Sequence, residues 1–206
     1  MYQVTIIDYG SGNVLSAQRS FIKVTNDTNK EFRVIISNNL KEIRKSTHIV
    51  LPGQGAFATC MTGLKNKPGL IEELYNFAMV KKKPFLGICV GMQMLASNSE
   101  ENGFHKGLGW INGCIRALPR KNLKMPHMGW SSVIPLKKNN LITKIMDYYF
   151  VHSYYFECLN NEDILAETQY GINFTSIVGK ENIYGVQFHP EKSSSQGLNL
   201  IKKFVS

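Results

Sequence analysis

The chain has 206 residues, of which 43% are hydrophobic, a length and composition typical of one globular domain with a sizeable core. No stretch approaches the roughly 18 consecutive apolar residues of a membrane span, and the first residues resemble a strand rather than a signal peptide, so we expect a cytoplasmic protein without membrane contact. The net charge of +9 comes from lysines spread along the chain, which argues against nucleic-acid binding and favours an acidic protein partner.

Short apolar runs alternate with helical patterns over the first hundred residues. The runs predict buried strands at 4–7, 33–36, 48–51 and 85–88. Helical periodicity predicts helices near 13–24, 69–80 and 91–97. Asn13 stands where its side chain can accept a hydrogen bond from a free N–H of the first helix and so act as its N-cap. Buried strands that alternate with helices form a parallel sheet with helices on both faces.

The pattern changes near residue 108, where the apolar segments become shorter and alternate more with polar residues. These segments are rich in Tyr, Ile, Thr and Phe and predict strands at 111–118, 131–134, 148–156, 164–168, 174–178 and 183–188. A last helix is predicted at 195–205. No linker or repeat separates the two halves. We therefore predict an α/β fold in one domain over 1–206, with an open, mostly parallel sheet flanked by helices and a mixed or antiparallel C-terminal extension.

Cys89 follows an apolar strand and precedes a helical segment, with Gly87 and Gly91 on either side of it. This pattern is typical of a nucleophile elbow, a sharp strand-to-helix turn that raises a reactive side chain above a sheet. The glycines remove the Cβ atoms that would clash in so tight a turn. The start of a helix also favours a thiolate, because it offers free N–H groups and a positive dipole. A buried structural thiol is the alternative on this pattern alone.

His189 and Glu191 close a β-rich run near the other end of the chain. A thiol nucleophile needs a base, and the base needs an acceptor that fixes its tautomer. Residues i and i+2 of an extended segment project to the same side, so Glu191 can reach the imidazole of His189. Together with Cys89, the pair predicts a Cys–His–Glu triad, whereas a solvated loop pair is the alternative without the cysteine.

The remaining cysteines give no sign of a second chemical site. Cys60, Cys114 and Cys158 lie far apart, and the sequence contains neither a C-x-x-C pair nor a histidine at zinc-site spacing. We therefore expect reduced thiols that pack as small hydrophobic groups, and neither a metal nor a cofactor.

Several segments resemble the class I, or triad, glutamine amidotransferases. The segments 87–93 and 189–191 resemble the two catalytic signatures of that family, and 52–57 resembles its oxyanion loop. The resemblance implies a flavodoxin-like fold and hydrolysis of L-glutamine, with Cys89 as nucleophile, His189 as base and then acid, and Glu191 as the group that orients His189. It also implies that the amino-acid end of glutamine is held by Gln93 and by the backbone near Ser153 and Tyr154.

The tetrahedral oxyanion of such a reaction needs two N–H donors. The N–H of Val90, which follows the nucleophile, is a natural first donor, and we expect the second from the loop at Gly53 and Gln54. Glycine tolerates positive φ values, so we expect Gly53 to allow a flip of this peptide. We further expect the resting loop to turn its N–H away from Cys89 until the partner binds its own substrate.

Further segments resemble one branch of the family, the glutaminase subunits of imidazole glycerol phosphate synthase. They are 8–13, 126–130 and 151–155, together with Lys192. The resemblance implies a heterodimer with the cyclase subunit, a (β/α)₈ barrel that uses the ammonia in histidine biosynthesis. It places Asn13, His127, Trp130 and Lys192 at the contact with that subunit. Ser131 departs from the branch, which usually has asparagine there, and Gln54 stands where a small or apolar residue is usual.

Three other functions are compatible with parts of the sequence. A related glutaminase could feed ammonia to a different synthase, such as one that modifies a sugar. A cysteine hydrolase of the same architecture could act alone, and a regulatory subunit could lack activity. The intact triad argues against the last, and the segments that resemble a partner-binding branch argue against the second. Because free ammonia is soon protonated in water, a glutaminase without a synthase domain needs a separate subunit to receive it.

Overall fold

The computed structural model describes residues 1–120 and 123–206. Its helices are α1 (Val14–Asn26), α2 (Leu40–Lys45), α3 (Phe57–Lys65), α4 (Leu70–Tyr75), α5 (Val90–Gln93) and α6 (Ser194–Val205). Its strands in the first half are β1 (Tyr2–Ile7), β2 (Phe32–Ser37), β3 (His48–Gly53), β4 (Phe85–Cys89), β5 (Asn98–Ser99) and β6 (His105–Lys106). Those in the second half are β7 (Gly113–Ala117), β8 (His127–Pro135), β9 (Met146–His152), β10 (Tyr154–Cys158), β11 (Ile164–Tyr170), β12 (Ile172–Lys180) and β13 (Ile183–Val186).

The central strands are parallel and lie in the order β2-β1-β3-β4-β13. Strands β3 and β4 are buried at every position, as expected for a parallel sheet covered on both faces. Asn13 caps α1, because its Oδ1 accepts a hydrogen bond from Ser16 N at 3.2 Å. The predictions of a parallel sheet and of this cap are both confirmed.

The second half of the chain extends this sheet with antiparallel pairs. Strand β12 lies antiparallel to β13, and β10 and β7 follow it in the sheet order. Strand β11 branches from β12 and pairs with β8, which pairs in turn with β9. The predicted mixed or antiparallel extension is therefore confirmed. One cluster of buried residues, which runs from Val4 to Val205, includes side chains from both halves.

Several predicted boundaries were wrong. The segment 148–156 forms two strands, β9 and β10, with Ser153 between them. The helix predicted at 69–80 is α-helical only to Tyr75 and continues as a π-helical turn, Asn76–Val80. Helices α2 and α3 were not predicted. No helix among the described residues is long and apolar enough to cross a membrane.

Candidate active site

Three neighbouring strands end at one edge of the sheet and position the predicted catalytic residues. The parallel register pairs Gly53 of β3 with Cys89 of β4, and Ile88 of β4 with Val186 of β13. His189 follows β13 by three residues, so it comes to the same edge as Cys89. This edge, where the carboxyl ends of parallel strands meet, is the usual ligand site of open α/β sheets.

Cys89 forms a strained turn between β4 and α5. Its φ of 55° and ψ of −113° lie in a region that residues with a Cβ rarely adopt. Gly87 packs so closely on the next turn that an added Cβ would lie 2.5 Å from the carbonyl oxygen of Gly91. A Cβ on Gly91 would collide with the carbonyl oxygen of Leu51. The predicted need for glycine at 87 and 91 is therefore confirmed.

His189 and Glu191 form a buried pair next to this turn. The Nδ1 atom of His189 lies 2.8 Å from Oε1 of Glu191, and both side chains are largely buried. The backbone of His189 is held by Tyr149 of β9, whose carbonyl oxygen accepts its N–H at 2.9 Å. The Nε2 atom of His189 is buried and has no hydrogen-bond partner among the described residues. This nitrogen is therefore available to exchange a proton with a reacting group.

The charge state of His189 is set by its neighbours. Burial disfavours the imidazolium and by itself would lower the pKa, but interactions with Cys89 and Glu191 outweigh burial and raise the pKa of His189 to about 10. Cys89 and His189 also line the same cavity.

The loop predicted to bind the oxyanion packs directly on the turn that follows Cys89. A Cβ on Gly53 would lie 2.5 Å from the N of Gly91 and 2.8 Å from the Cβ of Val90. Gly53 does not have a positive φ, whereas Gly55 has φ +87°. Close packing on Val90 and Gly91 therefore requires glycine at position 53, and the expectation that Gly53 allows a peptide flip stays a prediction. Gln54 and Val90 both line the cavity.

Two hydroxyl groups bind the carbonyl oxygens that flank the Gly53–Gln54 peptide, those of Pro52 and Gln54. Tyr9 donates to Pro52 O at 2.7 Å, and Ser11 donates to Gln54 O at 2.8 Å. Both come from the segment after β1, which the sequence linked to the contact with a partner. These two hydrogen bonds therefore connect that segment to the predicted oxyanion loop.

A cavity of about 350 Å³ opens beside the thiol of Cys89. Among the described residues it is lined by Gln54, Gly55, Cys89, Val90, Gln93, Glu101, Pro126, Val151, His152, Ser153, Tyr154, His189 and Lys192. The three residues predicted to hold the substrate, Gln93, Ser153 and Tyr154, are in this set. The carbonyl oxygen of Tyr154 already accepts hydrogen bonds from the Gln93 amide at 3.0 Å and from His152 at 2.8 Å.

Hydrogen bonds within the protein limit which atoms of the Gln93 side chain can bind a substrate. Its Nε2 donates to Tyr154 O and to Oε1 of Gln187, at 3.0 Å and 3.1 Å. Both N–H groups of the amide are therefore occupied, and only the oxygen is available to a bound molecule. The side chain is 3% exposed, so it is not a solvated residue on an open helix face.

Two further residues at the site were not predicted. Glu101 lines the cavity, and its Oε2 accepts the N–H of Phe57 at the start of α3, at 2.7 Å. Gln187 is fully buried, and its Nε2 lies 3.7 Å from the sulfur of Cys89. Glu101 follows the short strand β5 with no local motif, whereas Gln187 lies within the segment that leads to His189.

The predicted contact residues divide into exposed and buried groups. Asn13 is half-buried at the start of α1, Trp130 is 53% exposed on β8, and Lys192 lines the cavity. His127 is 2% exposed and packs between Phe150 and Tyr170. The prediction that His127 lies at the contact surface was therefore wrong, because alternation along β8 turns it inward while Trp130 faces out.

No group of three or more His, Cys, Asp or Glu side chains that could hold a metal ion occurs within 1–120 and 123–206. Cys60 and Cys114 are buried free thiols, and Cys158 is half-buried and also free.

Comparisons with known proteins agree with this geometry. The chain matches the Glutamine amidotransferase class-I family over residues 5–206. It is 42% identical over 209 residues to the imidazole glycerol phosphate synthase subunit HisH of Rhodospirillum rubrum, with 98% of each chain covered. It is also 42% identical over 208 residues to the subunit of the same name from Pelagibacter ubique, with 98% of this chain and 99% of that one covered.

Solved structures show the same fold. The chain aligns with a glutamine amidotransferase at a TM-score of 0.75 and 15% identity, with 98% of this chain and 96% of the other covered. A glutamine amidotransferase from Thermotoga maritima aligns at a TM-score of 0.63 and 18% identity, with 98% and 81% covered. Because the family match spans nearly the whole sequence, the chain belongs to the class I glutamine amidotransferases.

Proposed function

We propose that this chain is the glutaminase subunit of an imidazole glycerol phosphate synthase and hydrolyses L-glutamine to glutamate and ammonia. The observation that carries the proposal is the meeting of Cys89 and His189 at neighbouring strand ends, beside a cavity of suitable size for one amino acid. The two relatives from Rhodospirillum rubrum and Pelagibacter ubique carry the name of that subunit.

The reaction follows from the positions of three side chains. The sulfur of Cys89 attacks the side-chain amide carbon of glutamine and forms a tetrahedral intermediate. The proton on Nε2 of His189 passes to the departing nitrogen, so that ammonia leaves and a thioester remains. His189 then removes a proton from a water molecule that attacks the thioester, which releases glutamate. Glu191 holds Nδ1 of the ring and so keeps Nε2 directed at these atoms.

The oxyanion of each tetrahedral intermediate requires donors beside Cys89. The N–H of Val90 and an N–H of the Gly53–Gln54 loop are the groups we assign to this role. Loss of one such donor typically lowers the rate about 10²- to 10³-fold. The hydroxyls of Tyr9 and Ser11 bind the carbonyl oxygens of Pro52 and Gln54. These bonds limit the directions in which the loop N–H, the second oxyanion donor, can point.

The charged groups around the cavity suggest how glutamine is oriented. Glu101 is the only acidic side chain among the described residues that line the cavity with Cys89, and Gln93, whose two amide N–H groups are already occupied, lines the same cavity. A carboxylate and an amide oxygen together suit the α-ammonium group of an amino acid. Ser153 and Tyr154 then lie where backbone groups can contact the rest of its main chain.

The partner that we propose is the cyclase subunit, a (β/α)₈ barrel, in a heterodimer. Trp130 is a large exposed aromatic side chain of the kind that anchors protein interfaces. The excess positive charge of the chain suits an acidic partner surface. Asn13 and Lys192 complete the contact region that we assign, since Lys192 lines the cavity and Asn13 follows two residues after Ser11, which binds the loop.

The experiment is reconstitution with a purified cyclase subunit. Wild type should hydrolyse glutamine in the complex and deliver ammonia to synthesis. Cys89→Ala should abolish glutamine-dependent synthesis, while synthesis from added ammonium salt continues. Cys114→Ala is the matched control, because Cys114 is a buried free thiol on β7 and does not line the cavity. Glutamine-dependent synthesis by the Cys89→Ala complex would contradict the proposed nucleophile. Glutamine hydrolysis without any response to the cyclase would favour a different synthase or a hydrolase that acts alone.

A further inference from the structure

A chain of hydrogen bonds begins on strand β8 and runs inward. The Oγ of Ser131 lies 2.8 Å from Nε2 of His127, and Nδ1 of His127 lies 2.9 Å from Nε2 of His152. The Nδ1 atom of His152 lies 2.8 Å from the carbonyl oxygen of Tyr154. Both histidines are buried, so their ring nitrogens depend on these protein partners.

Two buried glutamines continue the chain to the nucleophile. The amide nitrogen of Gln93 donates to Tyr154 O and to the side-chain oxygen of Gln187. The amide nitrogen of Gln187 then donates to the sulfur of Cys89 at 3.7 Å. The hydrogen bonds are therefore continuous from Ser131 on β8 to the reacting atom.

One carbonyl group sets the direction of every bond on the β8 side. The oxygen of Tyr154 can only accept, so Nδ1 of His152 carries a proton. Burial lowers the pKa of His152 to about 3 and that of His127 to about 4, so each ring is neutral near pH 7 and has a single N–H. The Nε2 atom of His152 must then accept from Nδ1 of His127, and Nε2 of His127 must accept from the hydroxyl of Ser131.

The same carbonyl also fixes the orientation of the side-chain amides of Gln93 and Gln187. If the Gln93 amide were reversed, its oxygen would face the oxygen of Tyr154 and the pair would repel. The observed orientation therefore presents an N–H of Gln93 to Gln187, which must turn its own oxygen toward Gln93. The N–H groups of Gln187 are thereby left to face Cys89. A donor beside sulfur stabilises a thiolate more than a thiol.

We propose that Gln187 is a catalytic residue that stabilises the thiolate of Cys89, and that Ser131, His127 and His152 are positioning residues that act on it through the Tyr154 carbonyl. The inference rests on the proposed function only in taking Cys89 as the nucleophile. Ser131 lies next to the exposed Trp130 on β8. A protein that binds this strand can therefore influence the nucleophile by shifting one end of the chain.

The spacing of His127 and Ser131 depends on a glycine. Gly129 stands between them and has φ +137°, a backbone conformation that other residues rarely adopt. Ser132, the next residue after Ser131, faces the other way and donates to Oδ1 of Asp147 at 2.6 Å. Ser132 is therefore a matched control that shares the strand and the side-chain type but lies outside the hydrogen-bond chain.

The test is the rate at which iodoacetamide alkylates Cys89 in the full chain at pH 7, followed by mass spectrometry of the Cys89 peptide. Alkylation reports the thiolate and needs no glutamine. Gln187→Met keeps the shape of the side chain without its donor and should slow alkylation about three- to ten-fold, the effect of one lost hydrogen bond. Ser131→Ala should slow it about two- to five-fold by the same reasoning. Ser131→Thr, which keeps the hydroxyl, and Ser132→Ala should both retain the wild-type rate.

Two other outcomes overturn part of the inference. A wild-type rate for Gln187→Met refutes the role of Gln187. A slow rate for Ser131→Thr as well as Ser131→Ala identifies a packing effect and refutes the positioning chain. If Gln187→Met does not fold, the comparison of Ser131→Ala with Ser131→Thr still decides the matter. If wild type is alkylated as expected but does not hydrolyse glutamine with the cyclase, the proposed function is contradicted and this inference is not affected.

Discussion

Replacement of Glu101 by glutamine separates charge recognition at the cavity from the structural role of this residue. The carboxylate lines the cavity and accepts the N–H of Phe57. Glutamine retains an oxygen that can accept the same N–H, so the start of α3 stays capped. The lost interaction is a hydrogen bond between opposite charges, worth roughly 1.5–3 kcal/mol when buried. Because Glu101 is half-buried, we take the lower end, which corresponds to an increase of about tenfold in KM for glutamine.

The assay compares glutamine with glutaramic acid, which lacks the α-amino group. Wild type should prefer glutamine in kcat/KM, and Glu101→Gln should lose most of that preference because the poorer substrate makes no contact with residue 101. Glu100→Gln is the control, since Glu100 is an exposed neighbour that pairs with Arg116. Equal losses on both substrates would show that Glu101 acts through the fold and not through the ammonium group, and would refute the reasoning.

Two further changes test the strand edge and the base. Gly53→Ala should lower the free energy of unfolding by about 1–3 kcal/mol and glutamine turnover in the complex at least tenfold, because its Cβ would overlap the Val90–Gly91 backbone. Chemical denaturation measures the first effect and a turnover assay the second. A variant that is as stable and as active as wild type would contradict the packing argument. Glu191→Gln should lower the pKa of His189 from about 10, as followed by imidazole NMR shifts. The raised pKa of His189 stabilises the fold fully below about pH 6.5, and this stabilisation is lost as pH rises through 10. The Glu191→Gln variant should therefore lose less stability over that pH interval than wild type. An identical pH dependence of stability would refute the contribution of Glu191.

The parallel half of the fold could be predicted because its signals are local. Continuous apolar runs identify strands that are buried on both faces, and Asn13 is a helix-capping residue next to the helix that it caps. The glycines at 87 and 91 could also be predicted, since a sharp turn leaves no room for a Cβ. The roles of Cys89 and His189 followed from chemistry and resemblance, and they remain predictions that the geometry supports.

The remaining site residues depend on contacts between distant parts of the chain. Strand β13 lies beside β4 although about 95 residues separate them in the sequence, and no local pattern specifies that neighbour. Glu101 reaches the cavity from a loop without a motif. His127 is different, because a strict period of two along β8 places it on the opposite face from Trp130. The alternation separates the two residues, whereas the family resemblance alone implied the same surface for both.

The strain at Cys89 leads to a last prediction about the balance between stability and activity. In the middle of a helix or strand, a protein with glycine is less stable than one with alanine by about 0.5–1 kcal/mol, because glycine loses more backbone freedom on folding. At φ 55° and ψ −113° the order should reverse, since an alanine keeps the Cβ that makes this conformation costly, by about 1–3 kcal/mol. Cys89→Gly should therefore unfold at a higher denaturant concentration than Cys89→Ala, although neither hydrolyses glutamine. If Cys89→Ala is the more stable of the two, the turn is not strained in solution, and the position of the thiol beside the cavity needs a different explanation.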